Sequence, residues 1–166
     1  MRILPRPELL SLVLLTLLPL SLRAAEPGSK FPTEVTLEEQ PTDPKQSKIV
    51  LVAGSNAFKP GEHEYVAGCA VLRDLLRQTP GVFPVLALDW PKKPETFAGA
   101  KAVVFFFDGG DKHALLAGNR MAQVQKLADA GVGLVHLHQV IDYPKEFGDR
   151  ARGWMGAAFE KGFSQR

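Results

Sequence analysis

Residues 100–110 read AKAVVFFFDGG. Five consecutive β-branched or aromatic residues, with no polar residue among them, form a run too short for a buried helix. It ends in an aspartate and paired glycines. Such a segment reads as a strand covered on both faces, the pattern of a parallel sheet rather than of a half-solvated antiparallel one. Residues 48–54 (KIVLVAG) repeat the pattern, and residues 84–90 (PVLALDW) and 133–140 (GLVHLHQV) supply two further short apolar runs. Between them, residues 64–78 place Cys69, Leu72, Leu75 and Leu76 at helical spacing before Pro80-Gly81. Residues 119–130 align Met121, Val124, Leu127 and Ala128 on one face, with Asn119 at the start and Gly131 at the stop. The order β-α-β-β-α-β predicts an α/β fold with a mostly parallel sheet covered by helices. In such sheets ligands bind outside the carboxyl ends of the strands. The loops after Gly54, Phe107 and His138 thereby become one candidate site.

The first 25 residues stand apart. Arg2 and Arg6 precede a charge-free apolar run, LLSLVLLTLLPLSL at 9–22, and small residues follow at Ala24 and Ala25. This is the layout of an export signal, predicting a secreted or periplasmic protein. The run falls short of the ~20 apolar residues of a membrane span and contains a proline. Residues 26–47 hold four prolines and many charges with little apolar periodicity, so they read as a disordered lead-in. Residues 48–166 form the expected folded domain.

Removing the signal takes Arg2, Arg6, Arg23 and Glu8 from the 20 basic and 18 acidic side chains, leaving 17 of each. A neutral mature chain has no electrostatic support for a nucleic-acid partner. The single cysteine, Cys69, permits no internal disulfide and falls on the apolar face of a helix, as a small core residue. Neither G-x-G-x-x-G, a P-loop nor a G-x-S-x-G elbow occurs, which excludes dinucleotide, P-loop and serine-elbow readings.

Chemistry-bearing residues gather in the three loops. His63 lies between Glu62 and Glu64, either as an oriented acid–base group or within a polar loop that caps the next helix. Asp108 ends an otherwise apolar run. Gly109 and Gly110 free the backbone for an anion or oxyanion pocket, or simply for a turn, ahead of His113. His136 and His138, two apart, are expected to share one face of the last strand. No His/Cys spacing specifies a metal, and no cofactor is expected.

With these residues in view the chain resembles the ThuA-like (trehalose-utilisation) family of the class I glutamine amidotransferase-like superfamily, whose fold is flavodoxin-like. The matching segments run in order over residues 48–160: KIVLVAG, PGEHEYVAGCAVL, Trp90-Pro91, AVVFFFDGGDKH, GVGLVHLHQV and WMGAAFE. The resemblance is greatest to exported members of bacteria that degrade polysaccharides. It implies carbohydrate utilisation, with a small sugar derivative as partner. His138, His63, Asp108 and His113 would be the catalytic group, and Glu62, Gly109 and Gly110 would line the substrate site. Where related amidotransferases carry a nucleophilic cysteine this chain reads HLHQV, so thiolate-dependent glutamine hydrolysis is not expected. His136 is expected to pack. Family members continue beyond the G-x-F-E segment with further strands, so the sequence reads as a C-terminally truncated member. That implies an exposed sheet edge through which copies would associate. The alternative to an enzyme is a non-catalytic carbohydrate- or partner-binding remnant, with Trp90 and Trp154 as candidate stacking surfaces.

Overall fold

The computed structural model describes residues 35–55, 58–159 and Ser164, which fall within one compact unit. The segment read as an export signal lies outside the described residues. Among those that are described, no helix is long and apolar enough to cross a membrane.

The apolar runs form four parallel strands: β1 (Ser47–Ala53), β2 (Val82–Leu88), β3 (Ala100–Phe106) and β4 (Gly133–Leu137). β1 pairs with β2 and with β3, and β3 pairs with β4, giving the order β2-β1-β3-β4. Three helices accompany them: α1 (Tyr65–Leu76), α2 (Arg120–Asp129) and α3 (Gly148–Met155). This is a doubly wound, flavodoxin-like α/β architecture.

Both faces of the central strands are covered, which is why those strands read as unbroken apolar runs. Val50, Leu51, Val52 and Ala53 are fully buried. Val50, Val52, Val85, Val103 and Phe105 join Met121 and Val124 of α2 and Ala151 of α3 on one side of the sheet. Leu51, Ala53, Leu86 and Val104 pack with Cys69 of α1 on the other. Each valine or leucine so buried contributes about 1.5–3 kcal/mol relative to exposure. Strand succession runs from β1 outward to β2, then returns to the opposite side of β1 for β3 and β4. The reversal places the topological switch point between the carboxyl ends of β1 and β3, where such folds bind ligands.

Two expectations need correction. Part of the lead-in is built into the fold: Glu38 is buried, and its N–H donates to the Leu86 carbonyl at the edge of β2 (2.8 Å). Its carboxylate accepts from the N–H groups of Lys92 (3.0 Å) and Lys93 (2.9 Å) and from the Thr96 hydroxyl (2.6 Å). Prolines and charges mark this segment as polar, but one carboxylate that ties down a loop anchors it. The last strand also ends earlier than expected, at Leu137, because the chain turns at His138 into a short 3-10 segment, His138–Ile141.

Candidate functional site

His138 is the first residue after β4, and its backbone adopts the left-handed region, φ +58°. A non-glycine residue held there costs of order 1–3 kcal/mol and persists where its surroundings over-determine it, often at a functional site. The turn also overturns the expectation that the two strand histidines share one face. Alternation in steps of two holds only while the chain stays extended. The His136 ring lies 5.4 Å from Phe105, on the α2/α3 side, whereas the His138 ring lies 6.5 Å from Phe106, on the α1 side.

On that side His138 meets His63. The ring centroids are 5.1 Å apart at 45°, and no hydrogen bond joins them. The His63 ring stacks on Phe58 (4.1 Å). Its Nδ1 lies 3.1 Å from the Tyr65 hydroxyl, which in turn lies 3.4 Å from Gln139 Oε1. His138 is exposed, and its ring makes no hydrogen bond to another described residue.

Glu62 and Glu64 do not supply the orientation read from their flanking positions. Glu62 accepts from the Lys59 N–H (3.2 Å) and Glu64 from the Gly61 N–H (2.7 Å), so both carboxylates shape their own loop. Tyr65 orients His63 instead. Its sequence signature was the presence of a phenol on the buried face of a helix, since a buried tyrosine hydroxyl ordinarily finds a polar partner.

Asp108 leaves β3 beside a cleft of about 470 Å³ at the switch point, which Gly54, Ser55, Asp89, Lys112 and Arg120 also line. Gly54 is required there, because a Cβ would stand 2.3 Å from Phe107 Cβ. Arg120 is braced by the Trp90 ring, 5.0 Å below its guanidinium carbon, and by the Ala114 carbonyl (3.0 Å). Burial, together with the Asp108 charge, pushes the Tyr65 hydroxyl up to about 12. Asp108 thus bears on Tyr65 through its charge and makes no hydrogen bond to either histidine ring.

The remaining predicted residues serve the framework. Gly109 N–H donates to Asp108 Oδ1 (2.9 Å) and Gly110 N–H to the Asp142 carbonyl (2.7 Å), so neither N–H is aimed at an anion pocket. A Cβ on Gly109 would stand 2.1 Å from the Gln139 carbonyl oxygen. The glycines let this turn approach the segment after β4. His113 is a core residue rather than a catalytic one. It is 2% exposed, with Nε2 donating to the Val140 carbonyl (2.9 Å) and Nδ1 accepting from the Leu115 N–H (3.2 Å). Burial holds its pKa below the ordinary histidine value against the pull of that carbonyl. Cys69 is free and buried, with its thiol pushed up to about 12 by burial, which keeps it protonated. Trp90 and Trp154 pack, donating from their indole N–H groups to Gln123 and Gln125.

Among the described residues no group of three or more His, Cys, Asp or Glu side chains is placed to hold a metal ion. No family model, curated protein or solved structure matches the chain.

Proposed function

We propose that this is an exported ThuA-like protein that performs acid–base chemistry on a small carbohydrate derivative, with His63 and His138 as the reacting pair. The observation that carries the reading is their apposition. Two imidazoles from different loops, one on a left-handed backbone, face each other within 5.1 Å at the carboxyl ends of the strands. An imidazole has one nitrogen that accepts and one that donates a proton, so one ring accepts a proton from a substrate hydroxyl or activated C–H while the other donates. A separate cleft at the switch point, which neither histidine lines, presents carboxylate acceptors, Asp89 and Asp108, and cationic donors, Lys112 and Arg120. Sugar hydroxyls both donate and accept, and such a lining suits them.

That mixed lining also favours a second reading, a protein that binds carbohydrate without transforming it. Disaccharides and their 3-keto forms, offered to the full chain with binding and turnover measured separately, distinguish the two. Turnover that disappears in His138→Ala supports the enzyme. Binding without turnover supports the second reading, and neither binding nor turnover defeats both.

A further inference from the structure

The contacts behind the histidine pair set which nitrogen of His63 carries its proton. We propose that Tyr65 and Gln139 are positioning residues that hold neutral His63 as its Nδ1–H tautomer, so that Nε2 is the proton acceptor of the site. Its catalytic meaning rests on the acid–base reading above, whereas the tautomer itself does not.

A phenol has one proton to give. The Tyr65 hydroxyl has two neighbours, Gln139 Oε1 at 3.4 Å and His63 Nδ1 at 3.1 Å. An amide oxygen only accepts, so both contacts are hydrogen bonds at once only when the phenolic proton goes to Gln139. The contact with His63 can then be a hydrogen bond only if Nδ1 carries a proton and donates to the phenolic oxygen. A neutral imidazole has a single N–H, and Nε2 is left with its lone pair.

The relay is rigidly mounted at both ends. Tyr65 opens α1, is fully buried, and meets the Phe106 ring edge-on at 5.0 Å. Gln139 sits in the turn after β4, against which the Gly109 backbone packs. Burial and the Asp108 charge push the Tyr65 hydroxyl up to about 12, so the phenol keeps its proton at neutral pH. Three loops thus converge on one proton: Tyr65 follows the β1 loop, Asp108 follows β3 and Gln139 follows β4.

The test reads the tautomer directly. In the ¹⁵N-labelled full chain, above the histidine titration range, long-range ¹H–¹⁵N correlations distinguish protonated from unprotonated ring nitrogens. His63→Gln assigns the signals among the four histidines. The wild type is expected to show His63 protonated at Nδ1. Gln139→Leu removes the acceptor, which frees the Tyr65 proton to point at Nδ1 and flips His63 to the Nε2–H form. Gln139→Glu still accepts and should retain the wild-type tautomer, and Tyr65→Phe should lose the Nδ1–H preference. A wild-type His63 protonated at Nε2, or an unchanged tautomer in folded Gln139→Leu, overturns the proposal. The expected tautomer pattern without turnover of any sugar supports the positioning pair and counts against the acid–base reading.

Discussion

His136 and His138 are two residues apart and lie on opposite faces of the sheet, against Phe105 and Phe106 respectively. Their surroundings differ accordingly. His136 Nε2 meets the Tyr143 hydroxyl at 2.9 Å, and its ring stacks with Trp154 at 6.4 Å. His138 is exposed on a left-handed backbone beside His63.

This difference separates the roles of the two residues in an experiment. His138→Gly relieves the left-handed strain that a side chain imposes, a cost of roughly 1–2 kcal/mol. It should therefore leave the melting temperature unchanged or raised while abolishing ligand binding or turnover. His136→Ala removes a packed ring and should lower stability by about 1–3 kcal/mol. A His138→Gly variant that melts markedly earlier than the wild type would show the ring to be part of the packing.

Gly109 joins the turn after β3 to the segment after β4. A methyl group at this position would collide with the Gln139 carbonyl at 2.1 Å and with Asp142 Cβ at 2.8 Å. Both neighbours belong to a turn that carries site residues and cannot yield without moving them. Gly109→Ala should destabilise the fold by about 1–3 kcal/mol, the usual cost of overpacking. It should also weaken ligand binding by shifting Gln139 and His138. Denaturant unfolding beside a binding titration checks both, and a variant matching the wild type in both would refute the close approach.

The legibility of the chain followed burial. The four strands and the first two helices fall where apolar runs and helical spacing put them, apart from the early end of β4. The central strands read most plainly because both their faces are covered, whereas β4 is partly exposed. α3 was not anticipated: its segment, GDRARGWM, buries Ala151 and carries too many polar residues to show a stripe. The site was legible in part. His63 and His138 meet as expected of loops that converge at strand ends. The face that His138 occupies depends on one positive φ, which no residue pattern marks. His113 reads as a site residue because it follows a strand end and sits on a family-like position, yet its ring nitrogens are both used within the core. Glu38 looked solvated among prolines for the same reason. Local composition records polarity, whereas the partner that satisfies a buried polar group is set by tertiary structure.

Glu38 should therefore contribute to stability out of proportion to its place in a polar segment. Burial alone would raise its carboxyl pKa, but the Thr96 hydroxyl and the N–H groups of Lys92 and Lys93 outweigh burial and hold it below the ordinary value. Truncation leaves those three donors without their acceptor, at about 1–3 kcal/mol for a buried unsatisfied group. Glu38→Ala is expected to lose at least that much in chemical denaturation. Glu38→Gln, which keeps an acceptor oxygen, should lose less. Equal losses in the two variants would indicate that packing, rather than the hydrogen bonds, holds the segment.

The acid limb of the stability curve should be set largely by His136. Burial, aided by the neighbouring His113, lowers its pKa from 6.5 to about 4, while Nδ1 has no partner among the described residues to stabilise a second proton. The folded pKa lies below the unfolded one, so the unfolded state binds the proton more readily. Stability from the neutral ring is complete above the unfolded value and declines as pH falls from about 6.5 toward about 4. A shift of this size corresponds to roughly 2–4 kcal/mol lost across that window. His113, with its pKa also lowered by burial, adds to the decline in the same direction. Glu38, a carboxylate with a lowered pKa, loses its share only below the ordinary carboxylate range, near the bottom of the window. Urea unfolding at a series of pH values should show the wild type weakening through this range. His136→Phe, which keeps an aromatic ring beside Trp154 but cannot titrate, should show a flatter slope there even if its stability at neutral pH is lower. An unchanged slope in His136→Phe would assign the acid sensitivity to His113 and remove His136 from the account.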